Sequence, residues 1–185
     1  MESAHGIRII AFMSADSTEA LVAALYPELR RMARNLHWRY GATETLRSTA
    51  LVNECFLKLR RAHRFADEKH FLRTAARAMR QILINHAEAR LAAKRGGGAA
   101  ADSFEDDLPQ IYWESDERLL ALDEALDRLA AFAPRLAEIV ECRFFGGYSE
   151  REIGELLDIT ERTVRRDWAK AKALMLIELE RAEAA

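Results

Sequence analysis

The sequence predicts an all-α protein: two small helical domains joined by a flexible acidic linker. Three observations predict it. Ala, Leu, Glu and Arg dominate a chain of 185 residues that holds only 8 Gly and 3 Pro, and these are good helix formers. Apolar residues recur at three- and four-residue spacing, with no credible strand pattern. Between them "RGGGAAADSFEDDLPQIYWES", residues 95–115, breaks the period with three glycines and Pro109. The expected division is an N-terminal extension over 1–15, a first domain over 16–95, a linker over 96–115 and a second domain over 116–185.

The opening "MESAHGIRIIAFMSADS" has one short apolar run, from Ile7 to Met13, without the charged start and small-residue cleavage site of a secretory signal. It reads equally as a disordered tail or as an extension ahead of a true start at Met13. The first helix opens at Asp16-Ser-Thr-Glu19, close to a capping box. Leu21, Leu25, Leu29, Met32 and Leu36 give its stripe, Pro27 kinks or splits it, and Gly41 ends it. The second lies in "LRSTALVNECFLKL", residues 46–59, with Leu51, Val52, Cys55, Phe56 and Leu59 on one face. The third follows Asp67 as N-cap and buries Phe71, Leu72, Ala75, Met79, Ile82 and Leu83, with Arg73, Arg77 and Arg80 on the other side.

After the linker, a fourth helix begins near Ser115 and carries Leu119, Leu122, Leu126 and Leu129. Pro134 suits the first turn of a fifth, which buries Leu136, Ile139, Val140 and Phe144 and stops at Gly146-Gly147. In "YSEREIGELLDITERTVRRDWAKAK", residues 148–172, Ser149-x-x-Glu152 is a capping box, and Ile153, Leu156 and Leu157 are the inner face of a sixth helix. Asp158-Ile159 makes a tight turn. Thr160 then caps a seventh helix that buries Val164, Trp168 and Ala171. Two helices joined this tightly are a helix-turn-helix. At 100° per residue Arg162 and Arg166 point away from the core face, with Arg165 and Lys170 on the flanks. Such a cationic face, with Thr163 beside it, suits a recognition helix that reads base edges and neutralises phosphate in the major groove.

Charge is organised although the net charge is only −2. Residues 73–95 hold six Lys or Arg and one acid; residues 96–117 hold seven acids and no Lys or Arg; residues 162–172 are basic again. Two nucleic-acid-facing modules joined by an acidic strap fit that order. The linker reads either as an inert tether or as a polyanion that covers basic faces of this protein or threads a basic channel of a partner.

Other classes find little support. Cys55 and Cys142 stand among apolar neighbours with no Cys-x-x-Cys pair, as reduced core residues of a cytoplasmic protein do. The five histidines lack ligand spacing, so neither a metal nor another cofactor is expected. No window approaches the roughly 20 apolar residues of a membrane span. No nucleophile triad, carboxylate pair or phosphate loop points to catalysis. The nearest acid pair, Asp106-Asp107, lies in the linker.

With these motifs in hand, the sequence from about residue 17 onward resembles the extracytoplasmic-function (ECF) group of bacterial RNA polymerase sigma factors. Residues 122–175, "LDEALDRLAAFAPRLAEIVECRFFGGYSEREIGELLDITERTVRRDWAKAKALM", resemble that family's region four, which binds the −35 promoter element. "ALVNECFLKL" and "FLRTAARAMRQILINHAEAR" resemble parts of region two, which dock on the polymerase and melt and hold the −10 element. The resemblance implies core RNA polymerase and promoter DNA as partners. It places Leu51, Asn53, Glu54 and Lys58 at the polymerase, and Arg162, Thr163, Arg165, Arg166 and Lys170 at the −35 element. It places Arg73, Arg77, Arg80, Asn85, His86 and Arg90 at the −10 strand. His63, Arg64 and Phe65, in the preceding loop, are candidates to stack on and hold a flipped base. A helix-turn-helix regulator that binds DNA alone is the alternative. It would need a ligand or dimerisation domain where residues 71–95 instead carry a second basic helix.

One departure stands out. The wider group resembles Asp-Ala-Glu-Asp just before the "LV.E" motif, but this chain has Arg47, Ser48, Thr49 and Ala50. A helix N-terminus favours negative charge, and the missing carboxylates are those that help dock on the polymerase. Phosphate on Thr49, or on Ser48, would restore roughly two negative charges at that spot. The sequence also looks like a branch of the group associated with Ser/Thr kinases, which implies a kinase as partner. A plain helix cap is the other reading of the hydroxyls.

Overall fold

Pro27 decides where the first helix of the structure begins. A computed structural model describes residues 24–40, 48–61, 65–95 and 116–183. Among these residues there are seven helices and no strand: α1 (Tyr26–Tyr40), α2 (Ser48–Arg60), α3 (Glu68–Arg95), α4 (Asp116–Phe132), α5 (Pro134–Phe144), α6 (Glu150–Leu157) and α7 (Glu161–Glu183). Pro27 stands in the first turn of α1, where its missing N–H costs nothing. The expected cap at Asp16–Glu19, the stripe residue Leu21, the stop at Gly41 and the linker 96–115 lie outside the described residues. No helix among the described residues is long and apolar enough to cross a membrane.

The helix starts follow their capping chemistry. Asp67 accepts from the backbone N–H of His70 at 2.6 Å and opens α3. Ser149 and Glu152 form the reciprocal capping box of α6, with Ser149 N–H donating to Glu152 Oε2 at 2.7 Å and Glu152 N–H to Ser149 Oγ at 3.3 Å. Thr160 Oγ1 accepts from Thr163 N–H at 3.2 Å and opens α7. Between these last two helices Asp158 adopts a left-handed conformation, φ 54°, and Ile159 N–H reaches back to Gly154 C=O at 3.0 Å.

The apolar stripes bury as their spacing requires. Leu29, Met32 and Leu36 of α1, Val52, Cys55 and Leu59 of α2 and Phe71, Met79 and Ile82 of α3 close one bundle. Leu122, Leu126 and Leu129 of α4, Ile139 of α5, Ile153 and Leu156 of α6 and Val164 of α7 close another. At the end of α5 the buried ring is Phe145, not Phe144, which is only partly buried. Helical geometry continues one residue past α5: Phe145 N–H and Gly146 N–H both reach Glu141 C=O, turning the second ring inward.

The two bundles are packed together. α3 lies against α4, α5 and α6 as well as against α2, and the buried residues form one apolar cluster. α1 joins this contact at the turn after α5. There Gly147 has φ +67°, and a Cβ on it would stand 2.3 Å from Asn35 Nδ2. Arg31 bonds Gly147 C=O at 3.4 Å and lies over the Tyr148 ring at 4.8 Å.

Candidate nucleic-acid and polymerase interfaces

The seventh helix presents the cationic face that its sequence demands. Arg162, Arg165, Arg166 and Lys170 are exposed, while Val164 and Ala171 are buried beneath them. Two of the arginines are aimed by acids. Arg165 bonds Glu150 of α6 at 3.0 Å and Glu161 at 2.8 Å. Arg166 bonds Asp167 at 3.1 Å, and Asp167, almost fully buried, also holds Arg135 of α5 at 2.7 Å. Sequence reasoning missed Asp167, because an acid on the buried side of a recognition helix has no pattern of its own. Thr163 is half-buried and its hydroxyl lies 2.9 Å from that of Thr160, so it also locks the helix start. Trp168 is partly buried under the guanidinium of Arg143, 4.9 Å from the ring centre.

The expected −10 face of α3 is placed differently. Its arginines point away from their own bundle, as the periodicity requires, but they meet the acids of the other one. Arg73 bonds Glu138 at 3.3 Å and the C=O of Leu156 at 3.2 Å. Arg77 bonds Glu141 at 3.2 Å. Arg80 is the centre of the cluster, with Asp123 at 2.6 Å, Asp127 at 2.5 Å and Glu141 at 3.0 Å. Arg90 is paired bidentately with Asp116. Lys69, at the start of α3, pairs with Asp158 in the helix-turn-helix turn.

Arg80 and Glu141 are 6% and 5% exposed, so this contact is desolvated at its centre. Burial pulls the Arg80 guanidinium toward losing its proton, but Asp127, Asp123 and Glu141 together hold its pKa above the ordinary value. The Asp123 carboxyl is pushed up, because burial outweighs the pull of Arg80 and the negative charges of Asp127 and Glu88 add to it.

The remaining candidates divide. Asn85 is exposed on α3. His86 Nε2 lies 3.1 Å from both carboxylate oxygens of Glu54, joining a residue expected at DNA to one expected at the polymerase. Phe65 is half-buried and packs edge-on against Phe71 and His70, with ring centres 5.0 and 5.8 Å apart. His63 and Arg64 lie outside the described residues. On α2, Asn53, Glu54 and Lys58 share an exposed surface with Leu57, an apolar side chain 55% exposed that the sequence reading overlooked. Leu51 does not belong to that surface: at 3% exposure it is part of the core stripe. Thr49 is exposed in the first turn of α2, which contains no acidic residue.

The described residues thus hold two helical blocks, a capped helix-turn-helix and a second basic helix. The family model described as ECF sigma factor matches residues 7–181. The chain belongs to the ECF sigma factors. A match of this extent spans both bundles, whereas a stand-alone regulator would share the helix-turn-helix alone. Searches of curated proteins and of solved structures give no match. Membership makes this ECF sigma factor an alternative specificity subunit for transcription initiation, with core RNA polymerase and promoter DNA as partners.

Proposed function

We propose that this ECF sigma factor directs core polymerase to its promoters only after phosphorylation at the start of α2. In this reading residues 116–185 form the −35 module, with Arg162, Arg165, Arg166 and Lys170 of α7 at the DNA. Residues 16–95 form the polymerase and −10 module, joined to it by the linker 96–115. Asn53, Glu54, Leu57 and Lys58 of α2 dock on the polymerase. The protein acts in the cytoplasm, and its regulatory partner is a Ser/Thr protein kinase.

The observation that supports the switch is the exposed Thr49 in a first helical turn without any acid. The dipole and open amides of that turn favour negative charge. Phosphate there adds about −1.5 to −2 at neutral pH, beside the surface that docks. Ser48 is the second acceptor.

Affinity for core polymerase tests the proposal, comparing unmodified protein with protein phosphorylated stoichiometrically at Thr49. Tight binding by the phosphorylated form alone is expected, with Thr49→Ala remaining weak after kinase treatment. Equal, tight binding by both forms would reduce Thr49 and Ser48 to helix caps and remove the kinase from the account.

A further inference from the structure

Asp167 is 3% exposed and lies on the inner stripe of α7 with Val164, Ala171 and Met175. A carboxylate taken out of water costs desolvation that an apolar side chain in its place would not, and Val164 and Ala171 seat the same helix without any charge. Its partners are not buried with it. The side chains of Arg135 and Arg166 are 57% and 71% exposed. The carboxylate therefore sits beneath the surface and holds two arginines that stand on it.

Each carboxylate oxygen has its own arginine. Oδ1 accepts from Nε of Arg166 at 3.1 Å, and Oδ2 lies 2.7 Å from Nη2 of Arg135 on α5. A guanidinium is a rigid plane, so holding Nε fixes where its far end points. Both Nη groups of Arg166 then remain for a bidentate contact with O6 and N7 of a guanine. Arg165 is held otherwise: its Nε ends on Glu150 and its Nη2 on Glu161, which leaves one nitrogen, enough for a phosphate but not for a fork. We propose that Asp167 is a specificity-determining residue that never touches DNA: it positions Arg166 to read one base pair, and Arg135, on the other oxygen, fixes the carboxylate that does so. The proposal rests on α7 being the helix that enters the groove.

Charge gives this positioning role a sign that loosened packing does not share. Asp167 brings a negative charge near a surface that meets phosphate, and that repulsion acts whatever the DNA sequence. Removing it should leave affinity for unrelated duplex unchanged or higher, while preference falls at the pair that Arg166 reads. A displaced α7 would lose both.

The test uses the full chain. Duplexes that the parent selects from a random pool define its site, and Arg166→Ala identifies the pair that Arg166 reads, expected to be G·C. Affinity is then measured for the selected duplex, for its single substitutions and for an unrelated duplex. Asp167→Ala should reduce discrimination at that pair by roughly fivefold or more, from the lower end of what a bidentate contact supplies, and leave the other positions as they were. Asp167→Asn, which keeps an oxygen for Nε without the charge, should fall between. In an Arg166→Ala background Asp167→Ala should change discrimination no further. Arg135→Gln should act in the same direction by a smaller factor. If circular dichroism shows Asp167→Ala unfolded, Arg135→Gln decides, and unchanged discrimination in it would overturn the proposal. A folded Asp167→Ala that keeps its discrimination would overturn it, as would an equal loss at every position that persists without Arg166. Arg166→Ala with every preference intact would overturn it too and leave base reading to Arg162. A parent that selects no sequence would instead remove the recognition role of α7.

Discussion

Gly154→Ala should loosen the helix-turn-helix although it adds a single methyl group to a helix. A Cβ at this position would stand 2.7 Å from the backbone oxygen of Ile159, well inside ordinary contact. That oxygen cannot swing aside easily. Ile159 N–H is bonded to Gly154 C=O at 3.0 Å, and Asp158 before it is fixed in the left-handed region. Relief must come from moving α7 away from α6. Overpacking of this kind costs about 1–3 kcal/mol, and the better helix propensity of Ala returns about 1 kcal/mol. The net loss is about 0–2 kcal/mol, a fall in Tm of up to about 8 °C for a chain of this size. Thermal unfolding followed by circular dichroism reads the stability. Duplex DNA binding at a temperature where the variant is fully folded reads the displaced α7, and it should fall by more than the unfolded fraction explains. An unchanged or higher Tm with unchanged DNA affinity would refute the packing argument.

Further outcomes follow from the same geometry. Ser149→Ala removes the capping box and should cost about 1 kcal/mol in denaturant unfolding. Burial pushes the Cys55 and Cys142 thiols up to about 12, so at pH 8 the thiolate fraction of the folded protein is about one in ten thousand. Alkylation should be slow until urea unfolds the chain, when both sites react together; fast reaction of either in the native state would contradict its burial. Lys170→Ala should weaken DNA binding across sequences and reduce the salt slope by about 1. Arg162→Ala should instead relax the base preference of sites selected from random duplexes.

Periodicity and capping carried most of the fold. Asp67, Ser149, Glu152 and Thr160 each bond the amides that their positions predict, because a cap depends on three or four neighbouring residues. What depends on distant residues was not legible. The spacing of Arg73, Arg77 and Arg80 shows that they leave their own core, but it carries no information about what covers them. The covering acids Asp123, Asp127 and Glu141 come from 43 to 64 residues away in sequence. Leu51 shows the reverse case: its spacing sets it on the apolar face of α2, where it is buried, and only the resemblance assigned it to the polymerase, while Leu57, off that stripe, is exposed. Phe144 and Phe145 exchanged roles because the turn at Gly146–Gly147 begins one residue later than the helical period alone suggests.

As an ECF sigma factor, this chain gives core RNA polymerase a promoter specificity it otherwise lacks. The most direct measurement is transcription in vitro from fragmented genomic DNA of the encoding organism, mapping RNA 5′ ends with core polymerase alone, with unmodified protein and with Thr49-phosphorylated protein. The account predicts a discrete new set of start sites with the phosphorylated protein, preceded by two shared sequence elements at fixed spacing. The same start sites as core polymerase alone, with folded protein in both states, would contradict it.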